Sequence, residues 1–124
     1  MAKEMQYISP LIERVEEVLD KGTYRGYDYL IMSFGTHPCA YVAIPKKSKY
    51  HGQFYDDVPV QCHGGLTFSS ARPDMDGQWC IGWDYTHAGD YTAALPNFNE
   101  RRWTTAEIQA EVRDVIDQLI KLEP

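Results

Sequence analysis

The sequence predicts an α+β domain: a mostly antiparallel sheet of about five strands, flanked by an N-terminal and a C-terminal helix. Three observations lead there. Helical periodicity marks the two ends of the chain, while β-branched and aromatic segments fill the middle. The strand-like segments are joined at hairpin length, which favours antiparallel pairing. Each helical segment carries a single apolar stripe, so each belongs on a sheet face. The length, 124 residues, suits one domain over 1–124 with one core.

In chain order, the first expected helix has Ser9 as N-cap and Pro10 at N1, where a missing amide costs nothing. Leu11, Val15, Val18 and Leu19 then share a face, and Gly22 offers a left-handed exit. Strands are expected over 27–34 and 39–44, joined by Gly35-Thr36-His37-Pro38. Further strands are expected over 58–63, 66–69 and 79–85, with the turn-rich 72–77 between the last two. Thr104 and Glu107 form a capping box for the second helix. Ile108, Val112, Val115, Ile116, Leu119 and Ile120 form its buried stripe, with Glu107, Glu111, Arg113 and Asp117 left for water. Two long loops remain, 45–57 and 86–103. Loops of that length in a small domain are commonly functional.

The composition is that of a globular protein, with 44% hydrophobic and 24% charged residues. A net charge of −6 argues against binding a nucleic-acid duplex through its phosphates. The chain has no apolar run of membrane-spanning length and no signal-peptide core after Met1, so no membrane partner is expected. Cys39, Cys62 and Cys80 are odd in number and sit in apolar contexts, reading as small core residues in a reducing compartment. The expected location is the cytoplasm.

The chemistry-bearing residues concentrate between 62 and 90. His63-Gly64-Gly65-Leu66-Thr67 places two glycines where the backbone can approach a ligand closely and where amides and the Thr67 hydroxyl can meet phosphate oxygens. A tight turn or bulge explains the same glycines without any ligand. Asp84, His87 and Asp90 recur at three-residue intervals beyond a strand, and with His63 would suffice for a divalent metal. The spacing matches neither HExxH nor CxxC, and loop amides would use the same carboxylates as acceptors, so no metal and no cofactor is assigned. A nucleophilic reading is weaker still. Cys62 and His63 would point to opposite faces of a strand, and Ser69 and Ser70 lack a nucleophile elbow. The expectation is a binding protein with no catalytic residue.

Binding has more to draw on. Trp79, Trp83, Phe98 and Trp103, with Tyr50 and Tyr55, are available to stack on a base. Lys46, Lys47, Arg101 and Arg102 can meet phosphates, and Asp84 or Asp90 a ribose hydroxyl or base amino group. The expected ligand-binding set is therefore His63, Gly64, Gly65, Thr67, Trp83, Asp84, His87, Asp90, Lys46, Lys47, Phe98, Arg101 and Arg102. Each Lys or Arg taken singly also fits a solvated rim.

Five blocks together resemble small proteins carried by phages and prophages: Cys39-Ala40-Tyr41-Val42-Ala43-Ile44-Pro45, Tyr50-His51-Gly52, His63-Gly64-Gly65-Leu66-Thr67, Gly82-Trp83-Asp84 and His87-Ala88-Gly89-Asp90. In size and helix–sheet–helix plan the chain is also similar to the Thoeris anti-defence sponges, which bind cyclic ADP-ribose-type signals and some cyclic oligonucleotides without cleaving them. The resemblance implies sequestration of a small nucleotide in the host cytoplasm, in a pocket completed by a homo-oligomer. Two other classes stand beside it. An acidic inhibitor of a protein target, such as an anti-CRISPR protein, would use Asp56-Asp57 and Asp74/Asp76. A metal-dependent hydrolase would use His87.

Overall fold

The computed structural model describes residues 16–35, 37–86, 90 and 102–123. Its elements run β1 (Glu17–Tyr24), β2 (Tyr27–Ser33), β3 (Pro38–Ala43), β4 (Phe68–Ala71), β5 (Trp79–Asp84) and α1 (Thr105–Leu122). The five strands form one sheet in the order β1-β2-β3-β5-β4, and every adjacent pair is antiparallel. The α+β class and the C-terminal helix are as the sequence predicts.

The start of the chain differs. Residues 17–22, expected to complete a first helix, belong to β1, and the Ser9–Val15 part of that expectation lies outside the described residues. The reason is a bulge. Val18 pairs with Met32 and Asp20 with Ile31, so Leu19 is an extra residue in the ladder. That insertion interrupts the alternation by which a strand is recognised. Arg25 and Gly26 then take positive φ (49° and 88°), the backbone of a two-residue hairpin turn, and Tyr24 pairs with Tyr27 across it.

The second difference is the segment 58–63, which alternates like a strand but, among the described residues, pairs with no other strand. Val58 and Val60 are buried as an alternating pattern requires. Side chains of α1 take the backbone groups of Gln61 and the amide of His63. Gln118 Oε1 accepts from the Gln61 amide (2.7 Å), Gln118 Nε2 donates to the Gln61 carbonyl (2.7 Å), and Glu111 Oε2 accepts from the His63 amide (2.7 Å).

The sheet is covered on both faces. On one, Ile31, Ala40, Val42, Ile81, Trp83 and Tyr85 pack against Ile108, Val112, Val115, Ile116 and Leu119 of α1. Burying each of the Val, Ile and Leu side chains contributes about 1.5–3 kcal/mol. The Thr104 hydroxyl accepts from the Glu107 amide (3.2 Å), while the Glu107 carboxylate accepts from the Thr104 amide (2.9 Å), which completes the capping box. Among the described residues no helix is long and apolar enough to cross a membrane. On the other face, Leu30, Met32, Cys39, Tyr41, Ala43 and Cys80 form a second cluster with Met75, which a single 3-10 turn (Pro73–Met75) lays over the sheet. Cys39, Cys62 and Cys80 are free thiols, and burial raises Cys39 and Cys80 to about 11 and Cys62 to about 12.

A stack fixes the second face. A Cβ built on Gly82 would stand 2.6 Å from Tyr41 Cδ1 and 2.9 Å from the Ala40 carbonyl oxygen, so the Tyr41 ring occupies the space that only glycine leaves. The Arg72 guanidinium lies 3.8 Å from the Tyr41 ring centroid, and Phe68 meets that ring edge-on at 5.2 Å. Gly82→Ala is therefore expected to cost about 1–3 kcal/mol in urea unfolding. The cost should shrink when Tyr41 is also replaced by Leu; an equal cost in both backgrounds would remove the ring as its cause.

Asp20 joins β1 to its neighbours: one oxygen accepts from Tyr29 (2.7 Å) and from Gln109 of α1 (2.7 Å). The Tyr29 bond holds Asp20 below its ordinary value of 3.8, and a bond from Thr23 does the same for Asp28. Groups with lowered folded-state pKa values stabilise the fold above the ordinary carboxylate range and lose that contribution as pH falls through the folded values. Stability is expected to decline below about pH 4. The Asp20→Asn variant should be less stable at pH 7 and show a shallower acid limb; an unchanged limb would assign the acid sensitivity elsewhere.

Candidate functional site

The motif residues of the 62–90 stretch separate into two groups on opposite faces of β5. Alternation along that strand sends Trp83 toward α1 and Asp84 to the other side, with Tyr85, just beyond the strand end, again on the α1 side.

On the α1 side, a chain of polar contacts runs through the core. Trp83 Nε1 donates to the Tyr85 hydroxyl (3.1 Å), which donates in turn to Glu111 Oε1. The second oxygen of Glu111 accepts the His63 amide, so this one carboxylate binds the end of β5 and the start of the glycine turn to the helix. Burial and the Glu111 carboxylate push the Tyr85 hydroxyl far above its ordinary value, which keeps it a neutral donor.

The His63 ring lies flat on Tyr85, with centroids 4.9 Å apart and 7° between planes, and Trp103 leans on both rings at 4.8 and 5.2 Å. His63 Nε2 is 2.6 Å from Asp90 Oδ2, and Trp103 Nε1 donates to Asp90 Oδ1 (2.8 Å). A carboxylate only accepts, so Nε2 carries the proton in that bond. Asp90 is 4% exposed, while the His63 side chain keeps 23% of its surface in contact with solvent. The result is an imidazole fixed in place by a buried acid and two aromatic rings, with one part at the surface.

Gly64 and Gly65 follow immediately, both at positive φ (70° and 82°), and the Gly65 amide closes a turn on the Cys62 carbonyl (2.9 Å). A Cβ at Gly65 would meet nothing within 4 Å, so the turn opens outward next to His63.

The other face holds Thr67 and Asp84. Thr67 Oγ1 donates to Asp84 (3.3 Å), and Asp84 accepts from the Thr86 hydroxyl (2.7 Å) and amide (3.3 Å), the arrangement of a carboxylate organising an irregular loop. Among the described residues no three His, Cys, Asp or Glu side chains are placed to share a metal ion.

The remaining expected residues scatter. Trp83 is 1% exposed and its ring is core, so it backs the site instead of presenting a stacking face. Lys46 and Lys47 are exposed on the 45–48 turn, which Glu123 ties to the far end of α1, about 18 Å along the helix from Glu111. Arg102 is exposed just before α1, and His87, Phe98 and Arg101 lie outside the described residues. Asp74 of the expected acidic patch is engaged by Arg72 through two bonds of 2.8 and 2.6 Å, which hold its pKa below the ordinary value.

Sequence reasoning missed Tyr85 and Glu111 as parts of this site. Glu111 reads as a solvated helix residue, yet it sits beside the Ile108/Val112/Val115 stripe, at the border where a long carboxylate reaches neighbouring segments. No protein-family model, curated protein or solved structure matches the chain.

Tyr85→Phe removes the shared hydroxyl and leaves both the Trp83 N–H and one Glu111 oxygen without that partner. A loss of about 1–3 kcal/mol is expected, measured by chemical denaturation. Glu111→Gln should additionally accelerate hydrogen exchange at the His63 amide; unchanged exchange there would show that the turn is held by other means.

Proposed function

We propose that the chain is a binding protein that sequesters a small nucleotide-type anion at the His63–Gly65 turn without turning it over. One observation carries this reading: an imidazole fixed by buried Asp90 and by Tyr85 and Trp103 stands beside a turn of two positive-φ glycines that is open at Gly65. A fixed ring costs little ordering entropy on binding, and glycine leaves no side chain in the way of a ligand approaching the turn. The resemblance of the His63–Thr67 and Gly82–Asp90 blocks to phage-borne proteins, with anti-defence sponges similar in size, points to a cyclic nucleotide signal as the ligand. Sequestration requires nanomolar affinity, on the order of −12 kcal/mol. The open turn is completed into a pocket by a second copy of the chain.

The acidic-inhibitor reading has less to stand on, because Asp74 is already compensated by Arg72. Native mass spectrometry with cyclic ADP-ribose-type molecules and cyclic oligonucleotides tests the proposal. The expected result is a homo-oligomer carrying a ligand that is released unchanged on heating, with affinity reduced about a hundredfold in His63→Ala and in Gly65→Val. A ligand released with altered mass would make the protein an enzyme. A chain that stays bare at micromolar ligand would end the nucleotide reading.

A further inference from the structure

A concavity lies toward the C-terminal end of α1, away from the glycine turn. It encloses about 510 Å³ and is lined by Arg25, Gly26 and Tyr27 of the β1–β2 turn, Pro45, Lys47 and Ser48 of the following loop, and Glu123. We infer that this cleft binds a ribonucleoside monophosphate, with Arg25 and Lys47 on the phosphate, Tyr27 beside the base and Glu123 on the ribose hydroxyls. The site is independent of the one at His63.

The cleft is built by specific contacts. Arg25 is held by Nη1 on Asp117 Oδ1 at 2.8 Å, which orients the guanidinium at the rim. The Arg25 side chain is 52% exposed, so an incoming phosphate meets it without a buried pair having to break. Lys47 stands on a turn closed by the Ser48 amide on the Pro45 carbonyl (3.0 Å). Two cations from different segments therefore flank one opening.

Beside Lys47 the lining also carries acceptors. Glu123 Oε2 accepts from the Ser48 hydroxyl (2.6 Å) and Oε1 from the Lys49 amide (2.8 Å), so the carboxylate is fixed. Each carboxylate oxygen accepts more than one bond, and each retains capacity for a ligand hydroxyl or amino group. The negative end of the α1 dipole lies on the same side and also favours ligand donors over acceptors. Two cations, a fixed carboxylate and a tyrosine lining one cavity describe a ligand with a phosphate, hydroxyls and a flat ring. The volume is in the range of small-ligand sites and exceeds what a bare phosphate fills. The net charge of −6 disfavours a nucleic-acid strand as the source of that chemistry.

The test is an amide-resolved NMR titration of the full chain with adenosine 5′-monophosphate, and with adenosine, ribose 5-phosphate and inorganic phosphate as separate arms. The expected result is saturable movement of the Arg25, Gly26, Tyr27, Lys47, Ser48 and Glu123 amides, with the three fragments binding at least about tenfold more weakly. A double variant, Arg25→Asn with Lys47→Gln, should lose about tenfold or more in affinity. Both side chains are exposed, and asparagine suits the positive φ of position 25, so the variant should give a folded spectrum. Lys47→Glu alone provides a second check and should also weaken binding. His63→Ala should bind the monophosphate like the unaltered chain. The inference is overturned if those amides do not move, if the double variant binds as before, or if inorganic phosphate binds as tightly as the nucleotide. Binding that depends on His63 and not on Arg25 and Lys47 would overturn it and support the glycine-turn site instead.

Discussion

The carboxylate of Glu111 is the contact on which the half of the molecule around the glycine turn depends. Its two oxygens receive the Tyr85 hydroxyl and the His63 amide, so the helix, the end of β5 and the glycine turn meet at one side chain. Acceptors in such a place are asymmetric in their effect: made, the bonds contribute modestly, but removed they leave donors stranded at a desolvated site. The polar chain from Trp83 through Tyr85 to Glu111 therefore specifies geometry more than it adds stability. Asp90 repeats the device one layer outward, with its two oxygens on His63 and Trp103. Neither His63 nor the turn behind it has freedom to drift, which is the condition for a pre-formed site.

The sheet earns this rigidity by being buried on both faces. α1 covers one side, and on the other the Tyr41 ring fills the gap over Gly82, with Arg72 stacked upon it and Asp74 holding Arg72. A five-stranded sheet with one bare face would flex and would leave Leu30, Met32 and Cys80 in water. Because β5 is packed from both sides, its alternation has a functional consequence. Adjacent motif residues Trp83 and Asp84 serve opposite faces, and a string that looks continuous in sequence is divided in space.

That division shows what the sequence could and could not reveal. The C-terminal helix was legible to its cap, because the Thr104/Glu107 box and the Ile108–Leu119 stripe are local signals. The strands β2, β3 and β5 were legible for the same reason. β1 was not, because the extra residue Leu19 shifts the inward positions and Val18 is left 55% exposed, so the spacing imitates a helix. Segment 58–63 misled in the opposite direction: its alternation is real, but Gln118 and Glu111 supply the partners that a strand would have supplied. In the site, His63 and Asp90 were legible as polar residues flanking glycines. Tyr85 and Glu111 were not, since their roles arise from contacts between segments 26 residues apart in the chain.

Charge places the last constraint on what such a protein can hold. The chain is acidic overall, so an anion gains nothing from its long-range field and must be retained by groups within about a Debye length, roughly 8 Å at physiological salt. Exposed lysines scattered over the surface do not meet that requirement. Among the described residues two arrangements are candidates: a fixed imidazole beside a turn open at Gly65, and an arginine and a lysine lining one concavity. They lie toward opposite ends of α1, and the helix dipole distinguishes them. The site near its first half meets less of the negative helix end, whereas the cleft at Glu123 must offset that end with two full cations. The positions of Arg25 and Lys47 at the C-terminal end, where an anion is otherwise least welcome, are where electrostatics requires them.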